Sequence, residues 1–396
     1  MEERIVIIRG FLMTVDTLRK FVMPEVIIGD GARRRAGFYL ENYGIQRLLL
    51  VTDPGIVRAG WADEIRALAD DHGVTVMIFS GISENPRTDE VHAGAEIYHR
   101  AGCDGILAIG GGSPMDAAKG ISILATNGGD IREYEGVDRI RHMGPPLICI
   151  PTTAGSSADV SQFAIITDQA EQRKFGIISK MIIPDISLID PSLLSTLPRE
   201  FIAYSGFDAL THAIEAYVST GSSPLTDLHA SQAIRLLHRA LPAAYRSRDD
   251  ASAAMSMMLG SLHAGLAFSN ASLGLVHAMG HAISGMYDLP HGEVNSLLLP
   301  HVIRYNYPAS MERYNQIARI LGASDEEIQE DGVSAIVDAI RRLGGDVGIT
   351  GTLGDRGMMH DQIPDLAASA VLDPCLVTNP VFPEIEEVIA LYEAAL

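Results

Sequence analysis

The sequence has few cysteines and a deficit of positive charge. Its 396 residues include three cysteines, Cys103, Cys149 and Cys375, and no CxxC pair. This argues against a disulfide scaffold and favours a reducing, cytoplasmic compartment. The 30 basic and 50 acidic residues give a formal charge of −20. Nucleic acid and anionic membrane surfaces bind basic patches, so we expect neither as a partner.

The sequence also lacks a long uninterrupted apolar run. Residues 251–287 contain no Asp, Glu, Lys or Arg, but Gly, Ser, Asn and His interrupt them repeatedly. A membrane-spanning helix needs roughly 18 or more consecutive apolar residues. Helices buried in a globular protein therefore explain this stretch better than a membrane span.

The first half of the chain alternates between short apolar runs and amphipathic stretches. The runs are residues 47–53, 74–80, 105–110 and 147–153. Such runs are typical of parallel strands buried on both faces of a sheet. They predict an α/β dinucleotide-binding domain with a doubly wound parallel sheet over residues 1–195. Ala, Leu, Met and His at helical spacing predict an all-α domain over residues 196–396, with a cleft between the domains.

Four side chains of the second half have the composition of a metal site. Asp208 and His212 lie four residues apart in GFDALTHAIEAYVS, which places them on one face of a helix. His277 lies in GLVHAMGH, and His291 follows in PHGEVNS. Three imidazoles and one carboxylate suit Fe²⁺ or Zn²⁺ better than Ca²⁺ or Mg²⁺. As an alternative, His281 takes the place of His291, because it lies four residues after His277.

A glycine-rich loop follows the run at residues 105–109. The loop reads GGGSPMD over residues 110–116, and it is not a GxGxxG motif because Met115 replaces the third glycine. Glycines let the backbone approach a phosphate closely, and the helix that follows is an anion site. The pattern predicts Ser113 as the N-cap, Pro114 as the first helical residue and Asp116 as the capping-box partner.

Two further segments favour a dinucleotide at the same sheet edge. Asp53 ends an earlier apolar run, where its carboxylate can accept a hydrogen bond from an adenosine ribose and repel the 2′-phosphate of NADP. A simpler interpretation is that Asp53 only opens a β-turn. The loop PTTAGSS over residues 151–157 supplies more glycine and hydroxyl groups after another run.

These motifs carry a resemblance to a known family. GGGSPMD, PTTAG, GFDALTHAIEAYVS, GLVHAMGH and PHGEVNSLLLPHVIRYN occur in an order and spacing that resemble the iron-containing (group III) alcohol dehydrogenases, from about residue 20 to 390. The resemblance implies metal ligands at Asp208, His212, His277 and His291. It implies that His281 is a histidine near the nicotinamide and not a ligand. The implied NAD contacts are Asp53, Asn85, Gly111, Gly112, Ser113, Asp116, Thr152, Thr153 and Lys174. The implied substrate pocket is Ser156, Phe163 and Phe268.

The resemblance implies a metal-dependent, NAD-linked alcohol dehydrogenase. The expected reaction is reversible oxidation of a short primary alcohol or diol to the aldehyde, with Fe²⁺ or alternatively Zn²⁺ as a Lewis acid. His281 is expected to relay the hydroxyl proton. Glu215 follows His212 on the same helix and is expected to pack against its neighbours or to contact the ligands, and not to react. Expected partners are a small alcohol or aldehyde and further copies of the chain, as a homodimer or higher homo-oligomer.

Two alternatives remain open at this point. A non-haem iron oxygenase also uses His and carboxylate ligands, but it needs only three and has no use for a nucleotide loop. A regulatory protein could keep the dehydrogenase scaffold with little turnover. Many members of the family read PTTAGTGSEVT where this chain has PTTAGSSADVS at residues 151–161, which leaves the substrate preference open.

Overall fold

The computed structural model describes residues 5–8, 11–14, 20–171 and 173–396. They contain eleven strands. These are β1 Ile5–Ile8, β2 Phe11–Thr14, β3 Glu25–Ile28, β4 Arg47–Val51, β5 Thr75–Phe79, β6 Gly105–Gly110, β7 Gly136–Val137, β8 Leu147–Pro151, β9 Phe163–Asp168, β10 Arg173–Ile178 and β11 Ile186–Ile189.

The α-helices number fourteen among the same residues. In the first half they are α1 Ala36–Asn42, α2 Pro54–Arg58, α3 Trp61–Asp71, α4 Thr88–Ala101 and α5 Gly112–Asn127. In the second half they are α6 Arg199–Val218, α7 Pro224–Arg246, α8 Ala251–Ala271, α9 Leu275–Met286, α10 His291–Asn306, α11 Met311–Ile320, α12 Asp325–Asp346, α13 Ile363–Ala370 and α14 Ile385–Ala395.

A six-stranded parallel sheet forms the centre of the first half, in the order β3-β11-β8-β6-β4-β5. The four predicted apolar runs are strands β4, β5, β6 and β8 of this sheet. Side chains alternate between its faces, so that Leu49 and Val51 pack into one core while Leu48 and Leu50 pack into another. The predicted doubly wound parallel sheet is confirmed.

A second, smaller sheet was not predicted. Strand β10 pairs antiparallel with β9 and parallel with β7. Its sequence, RKFGII, begins with two charged residues, and this weakens the apolar pattern by which a buried strand is recognised. The sheet matters for function because β10 carries Lys174 to the cleft between the two halves.

The second half is helical, as predicted: past β11, no strand occurs in the part of the chain that the structure describes. Helix α8 is long and apolar enough, by length and composition, to cross a membrane, and 61% of its apolar window is buried. It packs against α6 and α7. These contacts are those of a core helix, which agrees with the expectation from residues 251–287.

Candidate active site

A cleft of about 890 Å³ lies between the parallel sheet and the helical half. It opens where β4 and β6 end, since both Asp53 and the loop after Gly110 line it. With one exception, all the predicted site residues line this single cleft: Asp53, Asn85, Gly111, Gly112, Ser113, Asp116, Thr153, Ser156, Phe163, Lys174, Asp208, His212, Phe268, His277, His281 and His291. The exception is Thr152, which is buried behind the wall of the cleft.

Three helices bring the predicted metal ligands together. Helix α6 carries Asp208, α9 carries His277, and α10 begins at His291. The Asp208 Oδ1 atom lies 3.6 Å from His277 Nε2 and 3.8 Å from His291 Nε2. One ligand atom from each of these residues lies within 4.8 Å of the others. An ion can therefore contact all three without a large movement of the backbone.

His212 lies beside this group but outside it. Its ring stacks on that of His277, with 4.4 Å between the centroids and 13° between the planes. Its Nδ1 atom is buried and has no hydrogen-bond partner among the described residues. A buried polar atom without a partner is unfavourable unless a ligand or an ion satisfies it. The group thus has three converging side chains, one carboxylate and two imidazoles, and the ring of His212 is a third imidazole that stacks on one of them.

Glu215 fixes the orientation of His277. Its Oε2 atom lies 2.5 Å from His277 Nδ1, and its two carboxylate oxygens also accept hydrogen bonds from the backbone N–H groups of Gly274 and Val276. With the Nδ1 proton donated to Glu215, the Nε2 atom of His277 is left to bind an ion. Glu215 comes seven residues after Asp208, which places both on one face of α6.

Asn295 is a contact that the sequence interpretation missed. Its Nδ2 atom lies 3.0 Å from Asp208 Oδ1 and from His291 Nε2, and 3.2 Å from His277 Nε2. A spacing of four residues from His291 on α10 was a signal that could have identified it. Its amide nitrogen therefore lies at the point where the three ligand atoms converge.

Burial and neighbouring charges set the protonation of the group. Burial alone would raise the pKa of Asp208, but the surrounding histidines hold it well below its usual value. Burial lowers the pKa of His212 to about 3 and that of His291 far below its usual value. Burial also opposes the charge on His277, but Glu215 and Asp208 raise the pKa of that imidazole to about 9. One carboxylate and buried imidazoles form a donor set that fits Fe²⁺ or Zn²⁺.

His281 is held by a different carboxylate. Its Nδ1 atom lies 2.8 Å from Asp373 Oδ2, and its ring stacks on that of His291 at 5.3 Å. It does not belong to the group of Asp208, His277 and His291. Asp373 lies 92 residues further along the chain, in a stretch without helical or strand periodicity, so no sequence signal connected the two.

The glycine loop differs from its prediction in one respect. Helix α5 begins at Gly112 with Gly111 as its N-cap, so the assignment of Ser113 as N-cap and Pro114 as first helical residue is wrong. The hydroxyl of Ser113 instead donates to the backbone oxygen of Glu84. Asp116 is not a capping-box partner, because its Oδ2 atom accepts from the Ile165 N–H at 3.1 Å. Without a capping side chain, the first N–H groups of α5 are available to an anion.

The space above the loop exists because glycines line it. Gly110 has φ of 152°, and a Cβ there would lie 2.7 Å from Pro114. A Cβ on Gly112 would lie 2.9 Å from the side chain of Ser156. The two loops approach so closely that any side chain at residue 112 would displace its neighbour. The result is a backbone cradle of the kind that accommodates phosphates.

Asp53 and Lys174 lie on either side of this cradle. Asp53 caps α2, and its Oδ1 atom accepts from the N–H groups of Gly55 at 2.7 Å and Ile56 at 3.0 Å. It therefore opens a helix instead of a β-turn, and its carboxylate still lines the cleft. Burial lowers the pKa of Lys174 to about 8, although Asp116 and Asp208 both favour its charged form.

Two aromatic rings limit the space beside the metal ligands. Phe163 and Phe268 meet edge to face, with 5.7 Å between their centroids. Phe268 also stacks on His212 at 4.3 Å. Both rings line the cleft, and Ser156 adds a hydroxyl to it.

Comparison with known proteins adds three findings. The chain matches the family described as "Iron-containing alcohol dehydrogenase" over residues 24–191, and the "Fe-containing alcohol dehydrogenase family, C-terminal" over residues 202–396. It is 40% identical to alcohol dehydrogenase 4 of Schizosaccharomyces pombe, over 95% of this chain and 89% of that protein. It is 35% identical to the NAD-dependent methanol dehydrogenase of Bacillus methanolicus, over 95% of this chain and 99% of the other.

A solved structure shows the same architecture. The structure of a 1,3-propanediol oxidoreductase superposes with a TM-score of 0.92 at 37% sequence identity. The match covers 96% of this chain and 100% of that one. The parallel sheet and the helical half are thus features that the two chains share.

Proposed function

The chain belongs to the iron-containing alcohol dehydrogenase family, and we propose that it catalyses the reversible, NAD-linked oxidation of a short primary alcohol or diol to the aldehyde. It is an oxidoreductase that acts on CH–OH groups, with NAD and Fe²⁺, or alternatively Zn²⁺, as cofactors. One observation carries the proposal. A convergent group of possible metal ligands, two of them buried and one half-buried, lies in the same cleft as a glycine cradle at a helix N-terminus.

We assign the metal to Asp208, His212, His277 and His291. The distances among Asp208, His277 and His291 support three of these assignments, and the partnerless Nδ1 of His212 supports the fourth. A bound divalent ion supplies Lewis acidity, which lowers the pKa of a substrate hydroxyl. Glu215 holds His277 in the tautomer that binds, and Asn295 orients Asp208.

We assign the dinucleotide to the opposite wall of the cleft. The N–H groups at the start of α5, with Gly111, Gly112 and Ser113, would hold its pyrophosphate. A bound oxidised nicotinamide would supply the hydride acceptor for the oxidation of the alcohol. The remaining proposed contacts are Asp53, Asn85, Asp116, Thr153 and Lys174. Thr152 is buried behind the cleft wall, so its contribution to binding is indirect, through the backbone N–H that it donates to Gly110 at 2.9 Å.

We assign proton transfer to His281. Asp373 accepts from its Nδ1–H, which leaves Nε2 to receive the hydroxyl proton of the substrate as the aldehyde forms. In the reverse direction the same nitrogen returns the proton. His281 lines the cleft beside the proposed metal ligands, and neither His281 nor Asp373 belongs to the ligand group, so proton transfer and metal binding are assigned to different side chains.

We propose a short substrate because Phe163 and Phe268 place two aromatic rings in the cleft, and Phe268 stacks on the proposed ligand His212. Two similar proteins carry names that specify small alcohols, methanol in one and 1,3-propanediol in the other. Ser156 offers a hydroxyl within the cleft, which suits a second hydroxyl on the substrate. A diol should therefore be oxidised more efficiently than a monoalcohol of equal length.

Three further assignments concern the domain boundary, the cellular compartment and the oligomeric state. We place the domain boundary at residues 195 and 196, between the end of β11 and the start of α6. We also propose a cytoplasmic enzyme that forms a homodimer or a higher homo-oligomer. Light scattering on the purified protein would test the oligomeric state.

The central experiment couples metal analysis with an activity assay. The apoprotein is loaded with Fe²⁺ or Zn²⁺, the bound metal is counted, and NADH formation is followed with ethanol, 1-propanol and 1,3-propanediol. The proposal predicts turnover that depends on both metal and alcohol. Full metal and NAD binding without turnover of any alcohol or aldehyde would instead indicate the regulatory protein.

A further inference from the structure

A second group of possible metal ligands lies next to the first and shares no residue with it. One ring nitrogen of His281, one carboxylate oxygen of Asp373 and the Sγ atom of Cys375 all lie within 4.8 Å of one another. Asp373 and Cys375 flank the start of a short 3-10 helix, Pro374–Thr378, that packs against α9. Cys375 is 2% exposed.

A cavity adjoins this group. His281, Asp373 and Cys375 line a space of about 10 Å³, together with residues of β10 that include Lys174. A space of roughly this size holds one water molecule. A dehydrated divalent ion requires no more room, so the ligands surround a space that an ion can enter.

The donor atoms of the second group differ chemically from those of the first. The first group offers imidazole and carboxylate, whereas the second adds a thiol. Thiolate ligands select soft or borderline ions such as Zn²⁺ and Cd²⁺ over harder ions. One imidazole, one carboxylate and one thiolate with a water as the fourth ligand make a tetrahedral zinc-type site.

We propose that His281, Asp373 and Cys375 form a second, thiophilic cation site, and that an ion bound there inhibits the enzyme. Binding requires only the three side chains and the cavity. Inhibition rests on the proposed function, because the ion ties up the imidazole assigned to proton transfer. Binding and inhibition can be measured separately.

Binding is an exchange of an ion for a proton. The Cys375 thiol loses its proton to solvent as sulfur binds the ion, and no oxidation or reduction takes place. Burial raises the pKa of this thiol well above its ordinary value, so the thiol is protonated until an ion displaces the proton. The ammonium group of Lys174 in the same wall also opposes a cation. For both reasons the second site should fill only after the first.

The experiment uses holoenzyme that already carries one metal ion per chain. Cd²⁺ is titrated in, the total metal per chain is counted after gel filtration, and the ultraviolet charge-transfer absorption of a cadmium thiolate is recorded. Two ions per chain, thiolate absorption and a parallel loss of turnover are expected. Counting the total metal distinguishes addition from replacement, since replacement of the first ion leaves the total at one.

The matched variants are Cys375→Ala and Cys103→Ala, each of which removes one buried thiol. Alanine at residue 375 keeps the backbone N–H that donates to Asp373 Oδ1 at 2.8 Å, so the dyad with His281 keeps its support. Cys375→Ala should retain turnover, lose the thiolate absorption and require at least about 10-fold more Cd²⁺ for inhibition. Cys103→Ala should behave like the wild type.

Two results would overturn the binding part: a total that stays at one ion per chain in the wild type, or thiolate absorption that persists in Cys375→Ala. Thiolate absorption with full turnover would overturn the inhibitory part. Failure of the proposed function has a different signature, because a protein without alcohol turnover still reports the second ion by its absorption and its metal count.

Discussion

The α/β wall of the cleft presents mainly backbone and small side chains, whereas the helical wall presents buried titratable side chains held by other side chains. In the first wall, Gly110 and Gly112 make space, and helix α5 begins without a capping side chain. In the second, Glu215 orients His277, and Asp373 orients His281. Cofactor binding at the α/β wall should therefore be sensitive to added side-chain volume, and metal binding at the helical wall should be sensitive to the loss of a charged or ligating group.

The largest effect is expected from removing a metal ligand of the helical wall. His277→Ala deletes an imidazole that lies 3.6 Å from Asp208, and it should reduce both bound metal and turnover by at least about 100-fold. NADH binding, measured by fluorescence, should change little because the α/β wall is intact. The control is His263→Ala on α8, a histidine that pairs with His229 away from the cleft. Normal metal content in His277→Ala would contradict the ligand assignment.

The second-largest effect is expected when Glu215 loses its charge but keeps its volume. Glu215→Gln keeps the size of the side chain that contacts His277, but it cannot hold the imidazole in the same way. Metal affinity should fall by about 10- to 100-fold. Competition with a chelator measures this, and Glu312→Gln on the exposed start of α11 is the matched control. An unchanged affinity would mean that Glu215 supports packing alone.

A small increase in volume should damage the other wall. Gly112→Ala places a Cβ 2.9 Å from Ser156, and we expect NADH to bind about 10-fold more weakly, or about 1.4 kcal/mol. Metal content should be unaffected. Adding Ser156→Gly removes the atoms in the way and should restore part of the affinity. Gly345→Ala, where a Cβ meets nothing within 4 Å, is the control. An equal loss of NADH affinity in Gly112→Ala and in Gly345→Ala would contradict the assignment of the glycine loop as the phosphate-binding cradle.

The smallest effect sharpens the comparison, since Lys174 is a titratable basic side chain on the α/β wall. Burial lowers its pKa to about 8, so the side chain is charged below that pH and neutral above it. The affinity for NAD should therefore fall by about 5-fold, or about 1 kcal/mol, as the pH rises through this range. Lys174→Arg keeps its charge and should remove the step. If the NAD affinity of Lys174→Arg still falls over the same pH range, another titratable group is responsible for the pH dependence.

The sequence predicts the residues that line the cleft better than it predicts the side chains that hold them in place. Apolar runs identify β4, β6 and β8, which are buried on both faces, and also β5, a partly exposed strand at the edge of the sheet. Strand β10 escapes this test because Arg173 and Lys174 begin it. Asp208 and His212 are visible because helical spacing brings them together. Asp373 could not be identified from the sequence, because its contact with His281 depends on how an irregular segment folds back onto α9.

The proposed ligands Asp208, His277 and His291 belong to α6, α9 and α10, so an ion bound by them would join three helices that the unfolded chain leaves apart. Such an ion binds the folded state and not the unfolded one, and by mass action it adds about 2.7 kcal/mol of stability at a free concentration 100 times its Kd. The thermal midpoint of the helical half then varies with the metal in solution. A melting curve of this protein becomes a measure of the iron or zinc that its surroundings supply.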